Sequence, residues 1–475
     1  MTVNRIKSQQ DLTRGAERAP LQRTLGAFEL TFLGIGAIIG TGIFLLTALG
    51  AERAGPGLLL SFFIAGLVCV FAALAYAELT AMAPVAGSAY SFAYLSVGEW
   101  LAWLVGWNLI LEYTAAAAAV AAGWAGYING LLAHYDLALP LWLRTGYFTN
   151  TETGGINLLA VLLVGCIAAL LVRGTRESAR LNAFLVGAKL IGLLIFIAVT
   201  LTFFSPDKLS PFMPYGFWAS EQDGLVRGVL AAASLIFFAY VGFDAVSTAA
   251  EETVNPQRNI PIGVIASIVI CTLIYLLVIL AALGAVHYKA LAGNPEPLAY
   301  VMRTLGYEQL GNVIALIAIF ALPTVIMVML YGQTRIFFVM ARDGLIPRSL
   351  TRLHTRYHTP ARLSWLTAAL VAVLAGLLPL DQIAEMSNTG TLFAFIVVAI
   401  AVMLLRHQQP NWHRPFRCPA VYAVAGIALM GCVLLFISLP AISIERFGIW
   451  SLIGLVIYGV YGYRHSEMSA STKRA

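Results

Sequence analysis

The residues best placed to do chemistry begin at Gly34-Ile35-Gly36-Ala37-Ile38-Ile39-Gly40-Thr41-Gly42-Ile43-Phe44, within an apolar run from Ala27 to Gly50. Four glycines within nine residues weaken a continuous helix, because each glycine costs about 1 kcal/mol against alanine. Inside a bilayer, a broken helix persists only where its freed backbone lines a cavity or is buried in protein. The stretch therefore reads as a helix that opens from Ile38 to Gly42 and turns bare N–H groups toward a ligand. The plainer reading is a close helix–helix contact, since Gly36 and Gly40 form a GxxxG pair. A second interrupted stretch, Phe237-Phe238-Ala239-Tyr240-Val241-Gly242-Phe243-Asp244, favours the first reading. The ionisable residues that stand out in the apolar runs are Glu78, Glu112, Lys189 and Asp244. Each would cost about 2.5–3.5 kcal/mol at a helix centre, so each is expected to have a role or a partner. Glu112 is read as a charge partner for Lys189 or as part of a pocket wall, with neither preferred. Asp244 is read as holding N–H groups freed by the second break, and Glu78 as lying toward the outer half of its span with a local partner.

The elements that position these residues are apolar runs. Of 475 residues, 60% are hydrophobic and only 11% charged, with mean hydropathy +0.84. A soluble protein carries about 25% charged residues, so the chain reads as a polytopic membrane protein. Twelve candidate spans can be marked, the second at Pro56 to Ala83, the third at Val97 to Gly130, and the last at Ile449 to Tyr463. With the N-terminus inside, 21 of the 29 Lys and Arg residues fall on the inside and seven outside, Lys189 being the remaining one. This bias supports cytoplasmic N- and C-termini in a cell inner or plasma membrane. It also accounts for the net charge of +6 by topology and argues against a nucleic-acid partner. The first 25 residues are polar and basic and do not resemble a cleavable signal peptide. The five cysteines show no CxxC or Cys/His spacing, four lie in apolar runs, and no metal site is expected. There is no HExxH, and the glycine cluster lacks the strand and the Lys-Ser/Thr of a P-loop, so neither an intramembrane protease nor ATP-driven transport is expected.

The two breaks lie in spans one and six. A repeat of five spans inverts its second copy, and paired broken helices in inverted halves point to the central site of a secondary transporter. The Gly34–Phe44 stretch resembles the first-helix signature of the amino acid–polyamine–organocation superfamily. The stretch FFAYVGFDAVSTAAEE from Phe237, with Asn255-Pro256-Gln257-Arg258, resembles its cationic amino acid transporter branch of bacterial type. So do Gly332-Gln333-Thr334-Arg335, Arg342-Asp343-Gly344 and Asn388-Thr389-Gly390-Thr391-Leu392. The resemblance implies an all-α LeuT-like fold, a five-plus-five inverted repeat with discontinuous helices one and six and two further C-terminal helices, twelve spans in all. The expected division is a tail at 1–25, a core at 26–406 made of repeats 26–205 and 224–406, two added helices at 407–463, and a tail at 464–475. The resemblance also implies amino acid uptake, commonly coupled to protons in bacterial members, with no cofactor and no catalytic activity.

An α-amino acid would suit the two breaks. Backbone N–H groups around Ile38, Thr41 and Gly42 would meet its carboxylate, with the Thr41 hydroxyl able to help. Carbonyls at Phe238, Ala239 and Val241 would accept its ammonium, and the resemblance points to the same positions. Phe238 is the expected gate. Ala116 and Val120, at i and i+4 on span three, would line the side-chain pocket on the face that also carries Glu112. Met329 would form the opposite wall and favour a neutral substrate such as alanine, since a thioether cannot offset the desolvation of a cation. A cationic amino acid transporter or an exchanger is the alternative, and a channel would need a polar ring that is not evident.

Lys189 lies nine residues past Arg180, about 13 Å deeper into the membrane. It is expected either to form a structural ion pair or, as the resemblance supports, to replace the sodium ion of coupled relatives beside the first break. In the second case the coupling ion would be a proton.

Overall fold

The computed structural model describes residues 25–472 except 86, 135, 138, 150–153, 174–177, 251–252 and 358. The expected N-terminal tail, Glu251 and Glu252 of the quoted motif, and the last three residues fall outside that description. Among the described residues, eight helices are long and apolar enough to cross a membrane, and four shorter apolar helices stand at Leu158–Arg173, Val229–Tyr240, Ala361–Leu377 and Val421–Ile437. Together they fall where the twelve apolar runs stand. Among the described residues two strands, Ser220–Gln222 and Leu225–Arg227, form a small antiparallel hairpin with Glu221 opposite Val226.

The first span divides into α1 (Ala27–Ile38), α2 (Thr41–Phe44) and α3 (Leu46–Ala54). A tight turn at Gly55–Gly57, where Gly55 has φ +60°, returns the chain into α4 (Leu58–Met82). A short buried helix, α5 (Ser88–Ser96), leads into the long α6 (Glu99–His134). Then follow α7 (Leu158–Arg173) and α8 (Ser178–Leu201). The sixth span is α9 (Val229–Ile236), a turn of 3₁₀ helix at Phe237–Tyr240, and α10 (Phe243–Thr248). The remaining spans are α11 (Pro256–Ala285), α12 (Glu308–Arg342), α13 (Ala361–Leu377), α14 (Leu380–Gln408), α15 (Val421–Ile437) and α16 (Ala441–Ile457). The last span thus begins eight residues before the expected Ile449. Pro440 opens it, and its first turn carries Ser443, which is buried because it bonds Glu385.

Two helix groups meet at the breaks. In one, α11 packs along α1 and α4; in the other, α6 packs along α12 and α14. The eighth element, α8, touches α1, α11 and α12 and so bridges them. The last helix is held to α6 by stacked indoles. Trp107 lies 4.6 Å from Trp450 and 5.8 Å from Trp103, and the Trp107 and Trp450 N–H groups each donate to the other's backbone carbonyl.

Charges inside the bundle are paired over long sequence separations. Arg53, at the end of α3, bonds Glu385 of α14 at 2.8 Å, with both side chains 5% exposed. Glu78 was expected toward the outer half of its span with a local partner. It lies instead near the C-terminal end of α4, and its carboxylate takes two bonds of 2.7 Å from Arg406, 328 residues away. Arg414 stands 3.2 Å from the same carboxylate, and the Cys418 N–H donates to it at 2.7 Å. Both arginines belong to segments that the Lys and Arg count assigned to the inside, so that same count would group Glu78 with them and not with the outer half.

Removing one member of a buried ion cluster strands the others and costs about 3–5 kcal/mol. Glu78→Ala is therefore expected to lower the thermal midpoint of the detergent-solubilised protein by several degrees. An unchanged midpoint would show that Arg406 and Arg414 are satisfied without it.

Candidate functional site

The first break is short. Helix α1 ends with the Ile39 N–H donating to the Ile35 carbonyl, Ile39 is extended (φ −72°, ψ 92°), and the helix resumes at Thr41. The opening is therefore confined to Ile39 and Gly40, narrower than the Ile38–Gly42 expected. The described part of Thr41 is its backbone; its side chain is outside the described residues. Gly42 is required by proximity, since a Cβ there would stand 2.2 Å from the Ala239 Cβ. The two broken helices thus touch backbone to backbone.

At the second break, the 3₁₀ turn ends with the Val241 N–H donating to the Phe238 carbonyl at 3.2 Å. Val241 is extended, and Gly242 has φ +121°, a conformation that a residue with a Cβ rarely adopts. A Cβ there would also lie 2.9 Å from that of Ala37. Of the three carbonyls expected to be free, two already carry a bond. Phe238 accepts from Val241, and Ala239 accepts from the Tyr275 hydroxyl at 3.1 Å. Each carbonyl oxygen keeps a second lone pair.

The breaks, α6 and α12 enclose one cavity. Ile38 and Gly42 line it from the first break, Phe238 and Val241 from the second, Ala116 and Val120 from α6, and Met329 from α12. Gly40, already placed in the opening of the first helix, completes the wall with Ala37 and Val325, which the sequence reading did not single out. Ala239 lies behind the cavity, against Gly42. The space open to a water-sized sphere is about 10 Å³, room for about one water molecule.

Lys189 is fully buried and reaches the first break from α8. Its Nζ donates to the carbonyls of Gly36 at 3.1 Å and Ile39 at 2.9 Å, and to the Thr324 hydroxyl of α12 at 3.1 Å. Thr324 in turn donates to the Ala321 carbonyl, so it acts as an acceptor toward Lys189. Three acceptors match the three donors of an ammonium. Among the described residues Lys189 makes no ion pair, so of the two roles left open for Glu112 the pairing with Lys189 does not form. The carboxylate of Glu112, 1% exposed on α6, has no hydrogen-bond partner at standard geometry; the neighbouring Thr391 hydroxyl donates to the Ser387 carbonyl instead. Asp244 accepts from the Gly242 N–H at 3.2 Å and from the Tyr113 hydroxyl at 2.6 Å.

Two further side chains hold the breaks, and the sequence reading missed both. The Tyr275 hydroxyl, from α11, lies 2.7 Å from the Ile38 carbonyl as well as 3.1 Å from that of Ala239, and so joins the two breaks. Asn388, from α14, donates to the carbonyls of Ser234 and Leu235 at the end of α9. Asn388 stood inside a quoted motif, but nothing near Tyr275 in sequence marks it.

Residues 25–459 match the sequence profile of a family described as Amino acid permease. The chain is 44% identical over 471 residues to the branched-chain amino acid permease BcaP of Bacillus subtilis (strain 168), covering 98% of this chain and 99% of that protein. It is 40% identical over 466 residues to the methylthioribose transporter of the same organism, with 98% and 99% covered. It is 34% identical over 422 residues to cationic amino acid transporter 4 of Homo sapiens, covering 86% of this chain and 63% of that one.

Tyr275→Phe removes the bridging hydroxyl and keeps the ring, which packs on Phe62 and Tyr240. A buried carbonyl left without a donor costs about 1–3 kcal/mol. The variant is expected to insert but to melt several degrees lower in detergent. A wild-type melting curve would mean that the Ile38 and Ala239 carbonyls find other donors.

Proposed function

Because the chain belongs to the amino acid permease family of multi-pass membrane transporters, we propose that it takes up small and medium neutral L-amino acids, alanine among them, together with protons. The observation that carries this reading is Lys189, whose single charge ties the Gly36 and Ile39 carbonyls to Thr324 across the first break. A lysine charge at that point takes the place of a bound metal cation, and it can be gained or lost as a proton. Protonated, it fastens α1 to α12. Deprotonated toward the inside, it weakens that fastening and lets the inner half of the site open. The termini lie in the cytoplasm, repeats 26–205 and 224–406 move against each other, and the protein uses no cofactor and catalyses no reaction.

In this reading the substrate carboxylate meets the N–H groups of Thr41 and Gly42, and the ammonium meets the second lone pairs at Phe238 and Ala239 and the Val241 carbonyl. Phe238, 5% exposed and lining the cavity, closes over it. The side chain enters between Ala116 and Val120 on one side and Met329 on the other. This lining offers no countercharge to a cationic side chain, which weighs against arginine although cationic transporters are among the relatives. The similarity to a methylthioribose transporter makes that compound the necessary competitor in any binding screen.

Two outcomes test the reading. In proteoliposomes with an acidic exterior, wild type is expected to concentrate alanine without sodium. Lys189→Ala is expected to bind alanine in a thermal-shift assay yet fail to concentrate it. Accumulation that needs sodium and ignores the pH gradient would refute proton coupling, as would a Lys189→Ala variant that still responds to that gradient. For the pocket, Met329→Ser is expected to raise arginine binding relative to alanine about tenfold, the scale of one changed pocket contact. Wild type that binds arginine far more tightly than alanine, or methylthioribose in place of both, would show the assignment of the walls to be wrong.

A further inference from the structure

The cavity is too small for any amino acid as it stands, so some of its walls must yield and others must not. Gly40, Gly42, Ala37 and Ala116 have nothing to withdraw. Met329 can swing, because an unbranched thioether chain has three rotatable bonds. Val120 and Val325 cannot, because a β-branched side chain in a helix has one strongly preferred rotamer. Val325 is further fixed by what it rests on. It is 3% exposed, and its Cγ2 lies 2.9 Å from the point where a Cβ on Gly40 would stand. Its isopropyl group is thus seated against the bare α-carbon of the first break. Its neighbour Thr324 is held by Lys189, so α12 is also pinned at this level.

Position along α12 separates the two apolar walls. Met329 is one turn beyond Val325, about 6 Å further along the axis. Its Cε lies 3.1 Å from where a Cβ on Gly242 would stand, so it faces the second break. Val325 faces Gly40, next to the N–H groups that meet the carboxylate in the reading above. A substrate anchored there presents its α- and β-carbons to Val325 and the rest of its side chain to Met329. We propose that Val325 is a specificity-determining residue that selects against branching at the substrate's β-carbon, leaving chain length to Met329. This rests on the neutral amino acid reading and adds the class within it: unbranched or γ-branched side chains over β-branched ones.

Valine and norvaline test it, because they are isomers that differ only in whether the side chain branches at the β-carbon: valine does and norvaline is linear. Binding to the purified full-length protein in detergent is followed by thermal shift. Wild type is expected to bind norvaline more tightly than valine. Val325→Ala is expected to shift the valine-to-norvaline ratio about tenfold toward valine, the effect of a methyl-sized change in an apolar pocket. Val325→Ile is expected to shift it the other way, and it decides the matter if Val325→Ala does not fold. Val325→Thr keeps the branched shape and is expected to keep the wild-type ratio. A wild type that binds norvaline, with a ratio that does not move in Val325→Ala or Val325→Ile, overturns this inference and leaves the broader reading standing. A Val325→Thr ratio that moves as far as that of Val325→Ala also overturns it, since polarity and not shape would then govern. A wild type that binds alanine but neither isomer overturns this inference alone, and one that binds neither the isomers nor alanine overturns both.

Discussion

A backbone that leaves its helix inside an apolar layer must find hydrogen-bond partners, because an unpaired peptide group there costs several kcal/mol. This protein breaks two helices at one level and supplies the partners from other spans. Lys189 of α8 takes the Gly36 and Ile39 carbonyls, and the one hydroxyl proton of Tyr275, from α11, is shared between those of Ile38 at 2.7 Å and Ala239 at 3.1 Å. Asn388 of α14 takes those of Ser234 and Leu235. Tyr127 of α6 donates to the Phe44 carbonyl, and Asp244 accepts from the Gly242 N–H. The polar residues in the middle of four other helices are thus explained by the needs of two short stretches of chain.

The same constraint shapes the candidate site. A site built from peptide groups recognises what amino acids share, and leaves the choice among them to the side chains around it. Those side chains are apolar: Ala116 and Val120 on one helix, Val325 and Met329 on the facing one. Glu112 stands one turn from Ala116, buried and outside the cavity lining, so an ionisable group approaches the pocket without entering its wall.

How much of this could be read beforehand depended on whether a residue was out of place in its own segment. A glycine cluster weakens a helix wherever it occurs, so the first break was visible. The second, with Gly242 as its one glycine, was found by its position in span six and by the resemblance, and Lys189 was visible as a charge about 13 Å inside an apolar run. The fold class and the twelve spans followed from hydropathy and from the quoted motifs. Tyr275 was invisible because a tyrosine suits an apolar helix whether or not its hydroxyl is used. Val325 was invisible because a valine in a span is ordinary until its neighbour is known to be Gly40. Partners far apart in sequence were hidden for the same reason. Glu78 was given a local partner and has Arg406, 328 residues away. Of the two roles left open for Glu112, pairing with Lys189 is not the one that forms, since Lys189 bonds carbonyls and Thr324.

The narrowness of the first break has a mechanical meaning. Helix α3 is tied by the turn at Gly55–Gly57 directly to α4, so the second half of the first span is anchored to the second span. The first half, α1, is an arm of 12 residues, about 18 Å long, joined along the chain to α2 and α3 through Ile39 and Gly40. With so short a pivot, a rotation of about 20° carries the far tip of the arm roughly 6 Å while the pivot itself barely shifts. Lys189 grips the chain at Gly36 and Ile39, beside that pivot. A hold at the fulcrum therefore has leverage over the far tip of the arm, which it never touches.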